Sequence, residues 1–522
     1  MRLKLEDLST EQKLGMLMCA RRCRQADDMA YTLELIRNHS LGSVQVPCDK
    51  NTPEYIRAIR EAADYPILII ADMEQGYPRS NLPKLPAMTL AVCDNPDYYR
   101  AFAKCIVAEA KADGYSGMWG PVEDILRVNG PGIVQRSYGD TPEGVIRACG
   151  AINEVLDEYG FFSTGKHYPG GHDCGMDTHM VEGFSNVTEE ELINFDLVPY
   201  IDMMKRGLLP SIMVGHHTYV NIDPEYPASL SRKVIDIIRR LGFNGVCFTD
   251  SLAMMGILQK YGEENVMGMC IAAGNDIVLP NYRTSTKTCF EYLKQNYRDG
   301  AFDEERLNSA VARVLALQEY VAEKQSAIPV ITEEDRKCLD AVARDCITAV
   351  TADGVKPCLD DVNKKRLFVV VVPSGFDADA PKEEIHSEKW YFPKDIAEKI
   401  QQEFPGAEIA FVPEFAAVRD NESVLIKATK HDEVIFVTFC VTSAYLGTDC
   451  MTRRTEALIN ALIHSGKVST IVHFGNPFAV KPLMKVPRLL FGYTSTPSQS
   501  YAIDVLAGKL PARGKLPFDI GL

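Results

Sequence analysis

Carboxylates, imidazoles and cations recur at the ends of short apolar runs in this 522-residue chain. Asp72 and Glu74 follow the run at 66–71. Asp124 follows 116–120, with Arg136 in the loop beyond. Lys166 and His167 follow 161–165, and the next loop carries His172, Asp177 and His179. His216 and His217 follow 211–215, and Asp250 follows 245–249. Acids, bases and hydrogen-bond donors gathered on one rim suit a polar substrate rich in hydroxyls. A divalent cation would accept many of the same groups, so their order along the chain leaves both open. Each also has a plainer reading. Asp250 could cap a helix over 251–258, and Asp177 could close an Asx turn in a glycine-rich loop. His167 and His216 could be hydrogen-bonded packing groups. Gly170 and Gly171 read as turn formers and not as a phosphate cradle, since no helix start follows them directly.

The elements that must position these residues alternate regularly. Strands are predicted at 43–46, 66–71, 116–120, 161–165, 211–215, 245–249 and 276–279. Helical patterns at 53–63, 97–112, 142–158, 189–205, 232–241 and 263–273 separate them. Strand and helix at this spacing give parallel βα units. Seven such units in about 240 residues fit a (β/α) barrel, in which reacting side chains sit at the C-terminal ends of the strands. A helix at 303–321 ends the first domain, 1–321, and the polar stretch 322–345 reads as a linker. A second alternation over 346–522 predicts a separate α/β sandwich, with strands at 366–373, 408–412, 433–440, 470–474 and 488–493.

With these positions in place, the chain resembles glycoside hydrolase family 3, and within it the bacterial β-N-acetylglucosaminidase branch. Ile70-Ala-Asp72-Met-Glu-Gln-Gly76 is similar to the family's Asp-x-Glu-Gly-Gly segment. Gly120-Pro-Val-Glu-Asp124 and Arg136-Ser-Tyr-Gly-Asp140 resemble its paired Pro-Val-x-Asp and Arg-Ser-Phe-Gly elements. Lys166-His-Tyr-Pro-Gly170 followed by Asp177-Thr-His179 resembles the branch's most specific motif. Gly242-Phe-Asn-Gly-Val-Cys-Phe-Thr-Asp250 resembles the nucleophile segment. The likeness thins between about 350 and 465. It implies a retaining β-glycosidase with Asp250 as nucleophile and His179 as general acid/base oriented by Asp177. Asp72, Asp124, Arg136, Lys166 and His167 would hold the reacting sugar. An imidazole suits such a task because it can give a proton in one step and take it back in the next. In an extended loop, residues two apart point the same way, which would let Asp177 reach the His179 ring. Two departures stand out. Ser251 replaces a second Asp after the nucleophile, and Gln75-Gly76-Tyr77, with Arg79 further on, replaces Gly-Gly-Arg.

Composition narrows the field from outside. A net charge of −15 weighs against a nucleic-acid partner, which would need a basic face, and 46% hydrophobic residues are ordinary for a globular chain. No run approaches the roughly 20 apolar residues of a membrane span. Residues 1–10 are polar, and the fifteen scattered cysteines read as reduced thiols, which leads to the expectation of a cytoplasmic protein. No cysteine pair has zinc spacing, so no structural metal is expected, and the enzyme the resemblance implies is expected to need no cofactor. The expected partner is a small carbohydrate, with hydrolysis of terminal N-acetylglucosamine as the first reading. A phosphorylase using the same residues, a β-glucosidase and a non-catalytic sugar binder are its rivals. The second domain is open to three uses: completing the cleft, offering a homodimer surface, or stabilising the barrel.

Overall fold

The computed structural model describes residues 1–21, 26–127, 133–173, 175–324, 327–361, 363–374, 376–377, 391–440, 442, 444–445, 450–493 and 498–521. The chain divides into two compact units. The first comprises Met1–Asn81, Tyr99–Gly130 and Ser137–Asp335; the second comprises Leu82–Tyr98, Pro131–Arg136 and Arg336–Leu522. The second unit thus recruits two segments from inside the barrel sequence. Within the stretch read from sequence as a linker, Glu333–Asp345 is a helix.

In the first unit, strands β1 (Cys19–Arg21), β2 (Ser43–Gln45), β3 (Leu68–Asp72) and β4 (Gly117–Trp119) form one parallel sheet. Strands β5 (Gly165–Tyr168), β7 (Ser211–Val214), β9 (Val246–Ser251) and β10 (Ile277–Leu279) form another. The short pair β6 (Gly183–Ser185) and β8 (His217–Tyr219) lies beyond the ends of β5 and β7. Isolated bridges join the two sheets at both edges, Met18 to Val278 on one side, and Gly117 to Phe162 and Val122 to Lys166 on the other. The result is the expected parallel (β/α) barrel with an eighth strand, β1, which the sequence pattern does not reveal. Asp250 therefore ends the seventh strand around the ring.

Burial along the strands explains why the polar residues collect at one rim. Leu68, Ile69, Ile70 and Ala71 are buried and Asp72 emerges exposed; Val246 to Thr249 are buried and Asp250 is half-buried. The flanking helices follow from cap and stripe. Arg232–Arg240 begins at Ser231, whose hydroxyl accepts the Val234 amide at 3.2 Å, and it buries Val234, Ile235, Ile237 and Ile238. The cap is worth about 1 kcal/mol. Each of the four aliphatics contributes roughly 1.5–3 kcal/mol, so packing fixes this helix and the cap sets where it starts. The helix predicted over 189–205 is interrupted, with a π turn at Leu192–Asp196 between Glu189–Glu191 and Val198–Lys205.

At the opposite end of the barrel, Asp276 opens β10 wholly buried. Its carboxylate accepts from Arg239 Nη2 at 2.8 Å, Arg306 Nη2 at 3.0 Å and Arg313 Nη2 at 2.9 Å, and from the Cys247 amide at 3.0 Å. Burial opposes its ionisation, but the three guanidiniums prevail and hold the carboxyl below the usual range.

The second unit is built on a six-stranded sheet, β11 (Thr348–Thr351), β12 (Arg366–Val372), β13 (Glu408–Pro413), β14 (Glu433–Cys440), β15 (Val468–Gly475) and β16 (Arg488–Gly492). The order is β11-β16-β15-β14-β12-β13, with only β11 antiparallel to its neighbour. Every residue of β12 and β14 is buried, as central parallel strands require.

Candidate active site

Three carboxylate pairings organise the rim of the first unit. Lys166, with 2% of its side chain exposed, is held between Asp72 Oδ1 at 2.9 Å and Glu74 Oε1 at 2.5 Å. Asp124 is fully buried and accepts from the His167 amide at 2.9 Å and His167 Nδ1 at 2.8 Å. His172 Nε2 stands 3.1 Å from its other edge. Asp177 Oδ1 accepts from both the backbone amide and Nδ1 of His179, each at 2.9 Å. Burial works against the Asp124 charge, yet His172 and His167 overcome it and keep the carboxyl well below its ordinary value.

Asp177 does not act through an extended loop, as expected from spacing. Its carbonyl accepts the amides of Met180 at 2.9 Å and Val181 at 3.1 Å, so residues 177–181 form a tight turn capped by the Asp177 side chain. The plain Asx-turn reading and the functional one do not exclude each other, because the same oxygen closes the turn and meets the ring. The turn is anchored in turn by the Met255 amide to the His179 carbonyl and the Gly256 amide to the Thr178 carbonyl, both at 3.1 Å.

Asp250 accepts the Ser251 amide at 2.6 Å. It is no helix cap, since the next helix is Met255–Tyr261 with Met254 at its N-cap. Desolvation opposes its ionisation, but the nearby imidazoles of His167, His216 and His179 and the Ser251 amide outweigh this and hold it well below the usual carboxylate range. A carboxylate kept ionised beside several imidazoles is equipped to attack an electron-poor carbon. His216 is buried and depressed below its ordinary value by that burial. It bridges Ser229 Oγ at 2.8 Å and the Ser251 carbonyl at 3.2 Å, and so fixes the backbone that bears Asp250.

Arg136 belongs to the second unit and is half-buried, its amide bonded to the Ile133 carbonyl. Among the described residues, Asp124, His167 and His172 place ligand-type atoms within 4.8 Å of one another, a spacing a divalent cation can use. Both Asp124 oxygens are meanwhile engaged by the two imidazoles.

Sequence reasoning missed Arg21 because it missed β1. Arg21 donates to Ser251 Oγ at 2.5 Å, stacks on Tyr282 at 4.7 Å, and has Asp72 and Asp250 as electrostatic neighbours. Ser251, a departure from the resembled pattern, thereby has a partner. Arg79, the other departure, pairs with Asp113, which also accepts from the Tyr77 hydroxyl. The two imidazoles of the loop separate cleanly: His172 packs against Asp124 and the His217 ring, centroids 4.5 Å apart, whereas His179 rests on Asp177.

Residues 9–317 match the model of the glycosyl hydrolase family 3 N-terminal domain. A β-N-acetylglucosaminidase/β-glucosidase from Cellulomonas fimi is 27% identical over 339 residues, covering 61% of this chain and 58% of that protein. A β-hexosaminidase from Tolumonas auensis is 30% identical over 233 residues, 43% of this chain and 69% of its own length. The solved structure of a family 3 β-N-acetylglucosaminidase from Paenibacillus sp. superposes with a TM-score of 0.81 at 24% identity, covering 98% of this chain and 99% of that one, which speaks for the fold. Barrel, rim residues and family model agree: the chain belongs to glycoside hydrolase family 3.

Proposed function

We propose that this glycoside hydrolase removes terminal β-linked N-acetylglucosamine with retention. Asp250 attacks the anomeric carbon while His179 protonates the departing oxygen through Nε2, the nitrogen that Asp177 leaves facing away. A glycosyl ester on Asp250 results. Water then attacks the same carbon, His179 takes its proton, and Asp250 leaves as a carboxylate. Asp72, Lys166 and His167 hold the sugar hydroxyls, and Asp124, its oxygens engaged by His167 and His172, orients the His167 ring. The observation that carries this reading is the Asp177–His179 contact at 2.9 Å on a capped turn, beside a carboxylate kept ionised by imidazoles. An imidazole acid/base adds no negative charge on the acceptor side, so phosphate is less repelled than by a carboxylate acid. The names of the Cellulomonas and Tolumonas relatives support the choice of sugar. Thiols buried in the core outside any disulfide, Cys19, Cys247 and Cys270 among them, support a reducing, cytoplasmic setting.

The test is turnover of 4-nitrophenyl β-N-acetylglucosaminide and its glucoside, with and without phosphate, by wild type and Asp250→Ala. Loss of activity in the variant is expected, and a 2-fluoro sugar should label Asp250. Release of sugar 1-phosphate would make phosphate the acceptor with the same residues. A label elsewhere, or inversion at the anomeric carbon, would end the assignment.

A further inference from the structure

The segment that carries the acid/base also carries an unusual surface. Met176, Met180, Val181 and Phe184 are 47%, 42%, 40% and 46% exposed. Among the described residues of the first unit, the other exposed large apolar side chains are Met1, Ile328 and Val330. Four such side chains within nine residues are costly to hydrate, and apolar surface concentrated at one place marks a binding surface. Strand alternation turns Phe184 outward. On β6, Gly183 and Ser185 face inward and Phe184 outward, and a Cβ at Gly183 would meet the His217 ring at 2.5 Å, so the inner face is already filled.

The turn at 177–181 holds Met180 and Val181 in fixed relation to His179. In the reaction proposed above, the leaving oxygen lies within about 2.6–3.2 Å of the donating ring nitrogen. The aglycone therefore begins beside the turn that carries Met180 and Val181. Thioethers adapt to varied shapes, and an outward Phe offers a flat face. A sugar aglycone would set its hydroxyls against apolar side chains that offer no strong donor or acceptor.

We infer that Met176, Met180, Val181 and Phe184 form an aglycone subsite that selects substrates whose leaving group has an apolar body, alkyl or aryl, over a second sugar. This rests on the glycosidase reading of His179, and the test separates the two. Methyl and octyl β-N-acetylglucosaminides have leaving groups of nearly equal basicity and differ in apolar surface. Wild type should prefer octyl by about tenfold or more in kcat/KM, as burial of only a few methylenes would give. In the double variant Met176→Ser, Phe184→Ser, the preference should fall toward unity while methyl turnover stays as in wild type. Inhibition by the S-linked methyl and octyl analogues, which are not cleaved, should show the same ratio and the same loss. Equal turnover of both substrates by wild type overturns the inference, as does a ratio that the double variant leaves intact. So does an equal fall for both substrates, which would make the segment only a support for His179. Binding of wild type to neutral phosphatidylcholine vesicles, lost in the double variant, without an octyl preference, assigns the patch to a membrane surface instead. Failure to cleave even 4-nitrophenyl β-glycosides overturns the glycosidase reading on which the subsite rests.

Discussion

Asp177→Asn offers the sharpest test of how the acid/base is built. Asparagine can keep its oxygen where Asp177 Oδ1 now accepts the His179 amide and Nδ1, each at 2.9 Å, so the turn survives and only the charge is removed. A hydrogen bond to a charged group exceeds a neutral one by roughly 1–1.5 kcal/mol. If that difference is realised as the imidazole gains charge, its loss slows the step by roughly 5- to 13-fold. The assay is kcat/KM on β-glycosides that differ only in leaving group. A methyl or 4-methoxyphenyl glycoside, whose oxygen needs a proton, should show the full loss. A 2,4-dinitrophenyl glycoside, whose phenolate leaves unaided, should show little in this first step. Asp177→Ala should add a fall in thermal stability, because it also uncaps the turn at 177–181. An equal loss across all leaving groups would place Asp177 in substrate binding rather than proton transfer. An unimpaired Asn variant would remove it from the mechanism altogether.

Other substitutions probe the surrounding structure. Glu123 is fully buried behind Asp124, its oxygens facing Asn153 without a well-formed hydrogen bond, and burial, then the Asp124 charge, pushes its carboxyl up to about 8. Unfolded, it ionises near 4.5, so its contribution to stability is complete below that pH and is lost as pH rises toward 8. Glu123→Gln should therefore match wild type in thermal melts near pH 4.5 and exceed it by an amount on the order of a few kcal/mol at pH 8; parallel melting curves across that range would refute this. Asp276→Ala leaves three guanidiniums facing an empty place and should cost about 3–5 kcal/mol in denaturant titration, with a marginal loss showing that the cluster relaxes into solvent. Arg21→Met removes the cation beside Asp72 and Asp250 and should lower kcat/KM for the 4-nitrophenyl substrate by about tenfold or more; unchanged kinetics would make Arg21 a strut and nothing else.

The repeating parts of the fold were legible because their cores are periodic. The helices Pro142–Glu158 and Glu263–Ala273 and the strand Glu433–Cys440 lie where the pattern places them. Strand β1 was not legible: its three residues follow the helix Thr10–Met16 almost directly, so no polar break announces it. The π turn at Leu192–Asp196 sits in a sequence that reads as unbroken helix. At the site, residues close in sequence could be read together, Asp177 with His179 above all. Pairings across the barrel could not. Arg21 and Ser251 meet across 230 positions, and no local spacing records it.

The bridged edges of the barrel give the rim residues a second duty. Between β4 and β5 the backbone ladder is reduced to single bridges, and there Asp124, from one half, grips the amide and ring of His167, from the other. Between β10 and β1 the bridge at Met18 and Val278 is backed by Arg21 reaching over to Ser251. These rim groups, His167 with its proposed sugar contact among them, are thus also clasps that draw two half-rings shut. Exchanging one of them to change specificity alone would also loosen a joint.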